Sequence, residues 1–345
     1  EHELEKLQAN DIIEPSRGPT LWVSPIVAFP KPNNPDKLRL CVDMRQANTA
    51  ILRERHPQPT IEDLLNDLNA AKYFSKLDLT AAHHQLELDE QSRYITTFTT
   101  HKGLFQYKRL NFGTNSASEI FQNTIQNVFN GISGCRNISD DLIIFGKTQA
   151  EHDQALRNVL QVAKERNLIF GFDKCDQRQL EFFGYIFSSA GISPSPSKVC
   201  SIKDAPVPQN ASEVRSFFGM LQYCGRFIPN LADISAPLRL LTHKDVKWVW
   251  TPRQQHAFET LKALLTTDTV MSYFDPAKHT ELHVDASPFG LGAMLTQTTP
   301  DHDDSKVIAY ASRSLTATES KYSQIEREAL AIVFGIEHFH LYLYG

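Results

Sequence analysis

Three aspartates in the first half of this 345-residue chain stand where their charge calls for a partner. Asp78 closes the run FSKLDL, an apolar strand candidate that delivers a carboxylate to a polar segment. Asp140 and Asp141 sit side by side in NISDDLIIF, at the mouth of a short β-rich run. Adjacent carboxylates repel, and burying them together is unfavourable unless a cation intervenes. Mg²⁺ is a hard ion that prefers oxygen ligands and keeps waters for a phosphate-bearing substrate. Three carboxylates on neighbouring strands can hold two ions roughly 3.5–4 Å apart, one activating an attacking 3′-hydroxyl and the other steadying a leaving pyrophosphate. An Asp-Asp pair also opens turns, and the second one here, Asp303–Asp304 in DHDDSK, is expected in a solvated loop. On these residues alone both readings of Asp140–Asp141 stay open.

The elements that would position these groups lie on either side of them. Residues 1–16 pattern as a helix, with Leu4, Leu7, Ile12 and Ile13 near helical spacing and Pro15 as the stop. Two short apolar runs, WVSPIVAFP and KLRLCVDM, flank the turn cluster KPNNPDK, the pattern of a hairpin with a basic tip. TIEDLLNDLNAA (60–71) reads as a helix capped by Thr60, with Ile61, Leu64, Leu65 and Leu68 on one face. Residues 116–130 and 151–167 carry helical periods, RYITTFTT is extended, LIIF at 142–145 is a buried strand and LEFFGYIFS a further hairpin. The Pro/Ser-rich stretches AGISPSPSK and DAPVPQNAS read as joints, with helices from Glu213 onward.

Composition excludes several classes. Lys plus Arg number 35 against 40 Asp plus Glu, a net charge of −5, so a wholesale basic nucleic-acid coat is ruled out while a locally basic cleft is not. Residues 191–250 carry seven Lys/Arg against four Asp/Glu, a modestly basic module in an acidic chain. Apolar residues at 41% and charged residues at 22% are the balance of an ordinary globule. No stretch approaches the ~18 apolar residues of a membrane span. Cys41, Cys135, Cys175, Cys200 and Cys224 are odd in number and widely spaced, which reads as reduced thiols of an intracellular protein. The first residue, Glu1, and the close of the chain at HLYLYG suggest a piece of something longer.

The blocks FSKLDLTAAHHQLEL, RYITTFTTHKGLFQYKRLNFGTNSASEIFQN, NISDDLIIFGKTQAEHDQAL, LEFFGYIFSSAGISPSPSKV and EVRSFFGMLQYCGRFIPNLADISAPLRLLT follow one another in order. Together they resemble the reverse transcriptase of gypsy-type LTR retrotransposons, from about residue 10 to the end of the chain. The resemblance implies an α+β fold: a right-hand polymerase (fingers, palm, thumb), then a connection and a truncated ribonuclease H-like α/β domain. It divides the chain into fingers and palm (1–190), thumb (191–245), connection (246–275) and partial ribonuclease H-like domain (276–345). It also implies RNA- and DNA-templated DNA synthesis from dNTPs, with Asp78, Asp140 and Asp141 and the carbonyl of Leu79 as ligands of two Mg²⁺ ions, or Mn²⁺. The alternative is a catalytically decayed or domesticated nucleic-acid-binding relic of the same element.

The same resemblance puts Lys31 and Arg39 where cations hold the incoming triphosphate, a use that suits a point charge and a bidentate fork. A solvated hairpin tip is the plainer reading of both. Phe112 and Gly113 in LNFG correspond to the floor beneath the incoming nucleotide. Phe182, Phe183, Gly184 and Tyr185 correspond to the primer-grip hairpin, and their aromatic rings suit a plain core equally well. Two departures stand out. Ile138 and Ser139 precede the aspartate pair where the family usually has Tyr at the first position, and His83 replaces the bulky aromatic that excludes a ribose 2′-hydroxyl. A zinc reading of His83–His84 lacks further ligands at suitable spacing.

HTELHVDASPFGLGAMLTQ, KVIAYASRSL and TESKYSQIEREALAIVFGIEHFHLYLYG resemble the ribonuclease H domain that follows this polymerase. ELHVDAS reads as a strand delivering Asp285, GLGAMLTQ as its hairpin partner, and 319–340 as an amphipathic helix bearing Glu328. Asp285 and Glu328 fall on two of the domain's four carboxylates, and the other two lie past Gly345, so ribonuclease H activity is expected to be absent from this chain. The implied partners are a template with its primer, dNTPs and the rest of a Pol polyprotein, and the implied location is a cytoplasmic virus-like particle or the nucleus.

Overall fold

The computed structural model describes residues 2–31, 34–68, 71–171, 179–265, 269–299 and 302–344. The first elements are α1 (His2–Ala9), β1 (Ile13–Pro15), β2 (Ile26–Lys31), β3 (Asn34–Val42), α2 (Ile61–Asp67) and β4 (Tyr73–Leu79). There follow β5 (Phe98–Thr100), β6 (Gly103–Tyr107), α3 (Ala117–Val128), β7 (Cys135–Ile138), β8 (Asp141–Gly146), α4 (Gln149–Glu165) and β9 (Phe170–Gly171). Next come β10 (Gln179–Phe182), β11 (Tyr185–Ser188), β12 (Gly191–Pro194), α5 (Pro196–Lys203), α6 (Ala211–Tyr223), α7 (Leu231–Leu240) and α8 (Pro252–Leu264). The chain closes with β13 (His279–Ala286), β14 (Gly290–Thr299), β15 (His302–Ser314), α9 (Gln324–His338) and α10 (His340–Leu343). Two compact units result, residues 1–60 with 75–175, and 61–74 with 176–345. Among the described residues no helix is long and apolar enough to cross a membrane.

In the first unit the sheet order is β7-β8-β4-β9. Leu77 and Leu79 of β4 and Leu142 and Ile144 of β8 are buried against Phe121 and Ile125 of α3 and Ala155, Val159 and Ala163 of α4. Each fully buried Leu, Ile or Phe contributes roughly 1.5–3 kcal/mol, which is what fixes the two strand ends that carry the aspartates. α4 starts where it does because Thr148 and Glu151 form a reciprocal capping box. A second sheet, β1-β6-β5, and the β2–β3 ribbon complete the unit.

The second unit holds the meander β10-β11-β12, helices α5–α8, and the antiparallel sheet β13-β14-β15 covered by α9. α9 lies so close to that sheet that a Cβ on Gly335 would come within 2.9 Å of Val284 Cγ1. The side chain of Arg226 is nearly buried, and its Nη1 donates to both carboxylate oxygens of Glu62 in α2 at 3.2 Å. The Tyr342 hydroxyl of α10 donates to the same carboxylate at 2.8 Å.

Several expectations need correction. The first helix ends at Ala9, because Asp11 turns left-handed (φ 55°) and lets the Ile12 amide donate back to the Leu7 carbonyl at 2.9 Å. Ile13 instead joins β1 and pairs with Tyr107. RYITTFTT is extended only at its end, its first part forming a 3₁₀ turn (Glu90–Thr96). The helix expected over 319–340 is a short 3₁₀ turn followed by α9. AGISPSPSK is no open joint: it carries β12 and opens α5 with Pro196 in the first turn, where a proline costs no hydrogen bond. Asp303 and Asp304 belong to β15 rather than a loop, and their side chains lie outside the described residues.

Candidate active site

The pleat of β4 sets the aspartate apart from the core. Leu77 and Leu79 are buried, whereas Lys76 is half-buried and Asp78 exposed, as alternation along a strand requires. On the neighbouring hairpin β7–β8, Ile138 pairs with Asp141 across the two-residue turn Ser139–Asp140. Ser139 has φ 55°, the positive value that the tight hairpin turns demand. The Leu79 amide donates to the Asp140 carbonyl at 2.9 Å, so the end of β4 is sewn to the Asp-Asp turn directly beside Asp78.

Charge at this junction is only partly balanced. Lys76 Nζ donates to Asp141 Oδ2 at 2.6 Å, with both side chains about four-fifths buried. Burial pushes the Asp141 carboxyl above its ordinary value, the Lys76 ammonium pulls it back, and the charges of Asp140 and Asp78 push it up again. Asp141 therefore feels the charge of both other carboxylates. They are not drawn into ligating geometry: among the described residues no three Asp, Glu, His or Cys groups stand close enough to hold a metal. The donor set itself, three hard carboxylates carried at the ends of two adjacent strands, suits a divalent cation.

The turn is also clamped from α3. Gln122, fully buried, accepts from the Ser139 amide through Oε1 at 2.7 Å and donates through Nε2 to the Asn137 carbonyl at 3.2 Å. Neither Lys76 nor Gln122 stood out in the sequence. Two-residue spacing from Asp78 on a strand was the available signal for Lys76; a glutamine on an amphipathic helix offers none.

His83 lies in a 3₁₀ turn (Ala82–Gln85) that follows Ala81 at φ 52°. Its ring stacks on Phe121 at 5.0 Å and tilts against Phe112 at 4.5 Å between centroids. Burial lowers its pKa, opposed by the charge of Asp140, and its Nδ1 is buried without a hydrogen-bond partner among the described residues. His84 packs on Tyr107 and Phe112, and burial brings its pKa down to about 4. Gly113 holds φ 98°, and its carbonyl accepts from Asn48 Nδ2 at 2.8 Å. The structure thus brings Asp78, Leu79, Asp140, Asp141, His83 and Phe112 into one neighbourhood. Lys31 and Arg39 fall on β2 and β3, but their side chains lie outside the described residues.

In the second unit, the β10–β11 turn places Phe183 (φ 48°) and Gly184 (φ 78°) in left-handed conformations. Phe182 points into the core, whereas Phe183 is half exposed. The Tyr185 hydroxyl donates to the Tyr223 carbonyl at 2.8 Å, which fastens this hairpin to α6. Asp285 is exposed near the end of β13, and Glu328 is exposed on α9. Gln324 Nε2 donates to both Glu328 Oε1 (3.0 Å) and the Ala286 carbonyl (3.1 Å), a bridge from the helix to the strand end.

Residues 29–187 match the family described as reverse transcriptase (RNA-dependent DNA polymerase), and residues 250–345 match the RNase H-like domain found in reverse transcriptase. The chain is 38% identical over 351 residues to the retrovirus-related Pol polyprotein from transposon 412 of Drosophila melanogaster, covering 99% of this chain and 28% of that protein. It is 32% identical over 325 residues to the transposon Tf2-3 polyprotein of Schizosaccharomyces pombe, covering 92% of this chain and 24% of that one. The chain thus spans about a quarter of the length of these relatives. Among solved structures, a foamy viral protease-reverse transcriptase in complex with double-stranded DNA superposes with a TM-score of 0.87 at 22% identity, covering 99% of this chain and 60% of that one. Another, in complex with an RNA/DNA hybrid, gives 0.82 at 21% identity, covering 98% and 45%. At such identities the likeness speaks for the fold, which is the mixed helix-and-sheet architecture expected from the sequence. Residues 29–187 thus carry a reverse transcriptase domain and residues 250–345 an RNase H-like domain, and the relatives the chain resembles are polyproteins of transposons.

Proposed function

We propose that this chain extends a primer on an RNA or DNA template, transferring a nucleotidyl group from a dNTP to the primer 3′-hydroxyl. The observation that carries this reading is the bond from the Leu79 amide to the Asp140 carbonyl, which sets Asp78 beside Asp140 and Asp141 at the ends of two adjacent strands. Asp78, Asp140, Asp141 and the Leu79 carbonyl would hold two divalent cations, with Mg²⁺ the expected ion. When bound, such ions lower the pKa of the attacking hydroxyl and offset charge on the leaving pyrophosphate.

The chain's own residues do the positioning. Phe112, exposed beside His83, offers a flat apolar floor for the nucleotide, while His83 abuts its sugar. Gly113, at φ 98°, holds a left-handed conformation that any side chain would strain, with Met44 and the Val42 carbonyl 3.4 Å from where a Cβ would sit. Lys31 and Arg39 would take the triphosphate as point charge and fork. The Phe183–Gly184 turn would bear on the primer strand. In the transfer, the primer 3′-oxygen bonds to the α-phosphorus as the bond to the β-phosphate bridge breaks; pyrophosphate departs and the hydroxyl proton passes to solvent. Primer extension on an RNA template with dNTPs and Mg²⁺ tests the reading. Lengthened products that vanish with a chelator are expected. Retained template–primer binding without extension would favour the nucleic-acid-binding relic instead.

A further inference from the structure

Lys76 stands on the same face of β4 as Asp78, two residues earlier, and its neighbours Ser75 and Leu77 turn into the core. Its ammonium reaches across to the adjacent strand and donates to Asp141 Oδ2 at 2.6 Å. Only 18% of the Lys76 side chain and 21% of the Asp141 side chain remain exposed, so little water screens the pair. An exposed ion pair of this kind would be worth little, but a mostly buried one fixes where Asp141 points. The bond also spends one carboxylate oxygen of Asp141 on an internal cation. A divalent ion needs that same carboxylate.

Resting on the function proposed above, we infer that Lys76 is the resident counter-ion of the aspartate cluster. Its ammonium holds Asp141 before a metal is bound, and it must release Asp141 for that carboxylate to become a ligand. Lys76 thereby sets how much divalent cation is needed to load the site. It is a positioning residue that acts through Asp141. A purely structural salt bridge predicts the opposite sign: losing it would disorder Asp141 and weaken metal binding.

The test is Mn²⁺ binding to the full chain without nucleic acid, read from the electron paramagnetic resonance signal of free Mn²⁺. Lys76→Met is expected to tighten binding by about tenfold, a 1.4 kcal/mol change. It is also expected to lower the melting temperature of the metal-free protein and to enlarge the stabilisation that Mn²⁺ gives. Lys76→Arg, which keeps a cation and can grip the carboxylate with two donors, is expected to bind Mn²⁺ no tighter than wild type and to fold even if Lys76→Met does not. In an Asp141→Asn background the Lys76→Met gain should disappear, since the two side chains then no longer couple. Unchanged or weaker Mn²⁺ binding in Lys76→Met, or tighter binding in Lys76→Arg, would overturn the proposal while leaving the polymerase reading intact. Mn²⁺ binding that is indifferent to Asp141→Asn would overturn both.

Discussion

Gln122 holds the Asp-Asp turn by both ends of its amide, accepting from the Ser139 backbone and donating to the carbonyl of Asn137. One buried side chain thus fixes the residues on either side of Ile138, just ahead of Asp140. A shift of about 1 Å at reacting groups can cost ~100-fold in rate. Gln122→Met, similar in length and shape, is expected to lower kcat for primer extension by roughly 10- to 100-fold. Affinity for template–primer should stay within about twofold, because phosphate contacts elsewhere carry it. The orphaned Ser139 amide should also destabilise the protein by about 1–3 kcal/mol. A variant that loses stability yet keeps kcat would show that the clamp does not position the turn.

Under the proposed function, His83 is expected to bear on sugar choice. Its imidazole is held by ring contacts with Phe112 and Phe121, and a longer phenol ring at the same place would occupy more of the space beside the nucleotide. His83→Tyr is expected to raise the preference for dCTP over CTP by ~10-fold, the effect of about 1.4 kcal/mol of added clash with a 2′-hydroxyl. The ratio of kcat/KM for the two nucleotides in both proteins decides it. Equal ratios would remove His83 from sugar discrimination.

Acid should act through His84. Burial brings its folded pKa down to about 4, below the ordinary value of 6.5, so the unfolded chain takes up the proton first. Stability from this residue is complete above pH ~6.5 and drains away as the pH falls toward ~4, by up to roughly 1.4 kcal/mol per unit. Urea unfolding of His84→Gln should show a flatter dependence across that window than wild type. Parallel curves would mean that His84 is not the buried base responsible.

Arg226 is the second unit's long-range tie. Replacing it with Met leaves the Glu62 carboxylate and the Tyr342 hydroxyl bonded to each other alone. Breaking a well-buried pair costs ~3–5 kcal/mol, and because Glu62 can regain water the expected loss is about 2–3 kcal/mol. Chemical denaturation followed in the second unit measures it. A loss below ~1 kcal/mol would class the pair with ordinary surface bridges.

What the sequence disclosed depended on range. The strand-end positions of Asp78 and Asp140–Asp141 were legible because each borders an apolar strand run, whereas the role expected of them came from the family resemblance; the period of α3 and α4 follows from apolar spacing alone. The early end of α1 was legible in principle, since Asn10–Asp11 is a turn signal that the apolar Ile12 and Ile13 obscured. β12 was hidden by its opening Gly191 and closing Pro194, residues that disfavour strands except at edges and ends. The pairs that shape the sites were out of reach. Lys76 meets Asp141 across 65 residues and Arg226 meets Glu62 across 164, and no local pattern encodes which strands or helices become neighbours. Gln122 is a polar residue on a buried face, which periodicity counts as noise.

Nucleotidyl transfer by this chain is expected to depend on the carboxylates joined by the Leu79–Asp140 bond. Asp140→Asn keeps the size of the side chain and removes its charge, so the backbone bond and the fold should survive. Extension of a DNA primer on an RNA template, measured beside template–primer affinity in the same protein, tests this most directly. Asp140→Asn is expected to abolish extension while affinity stays near wild type. Extension by Asp140→Asn at a rate comparable to wild type would contradict this dependence.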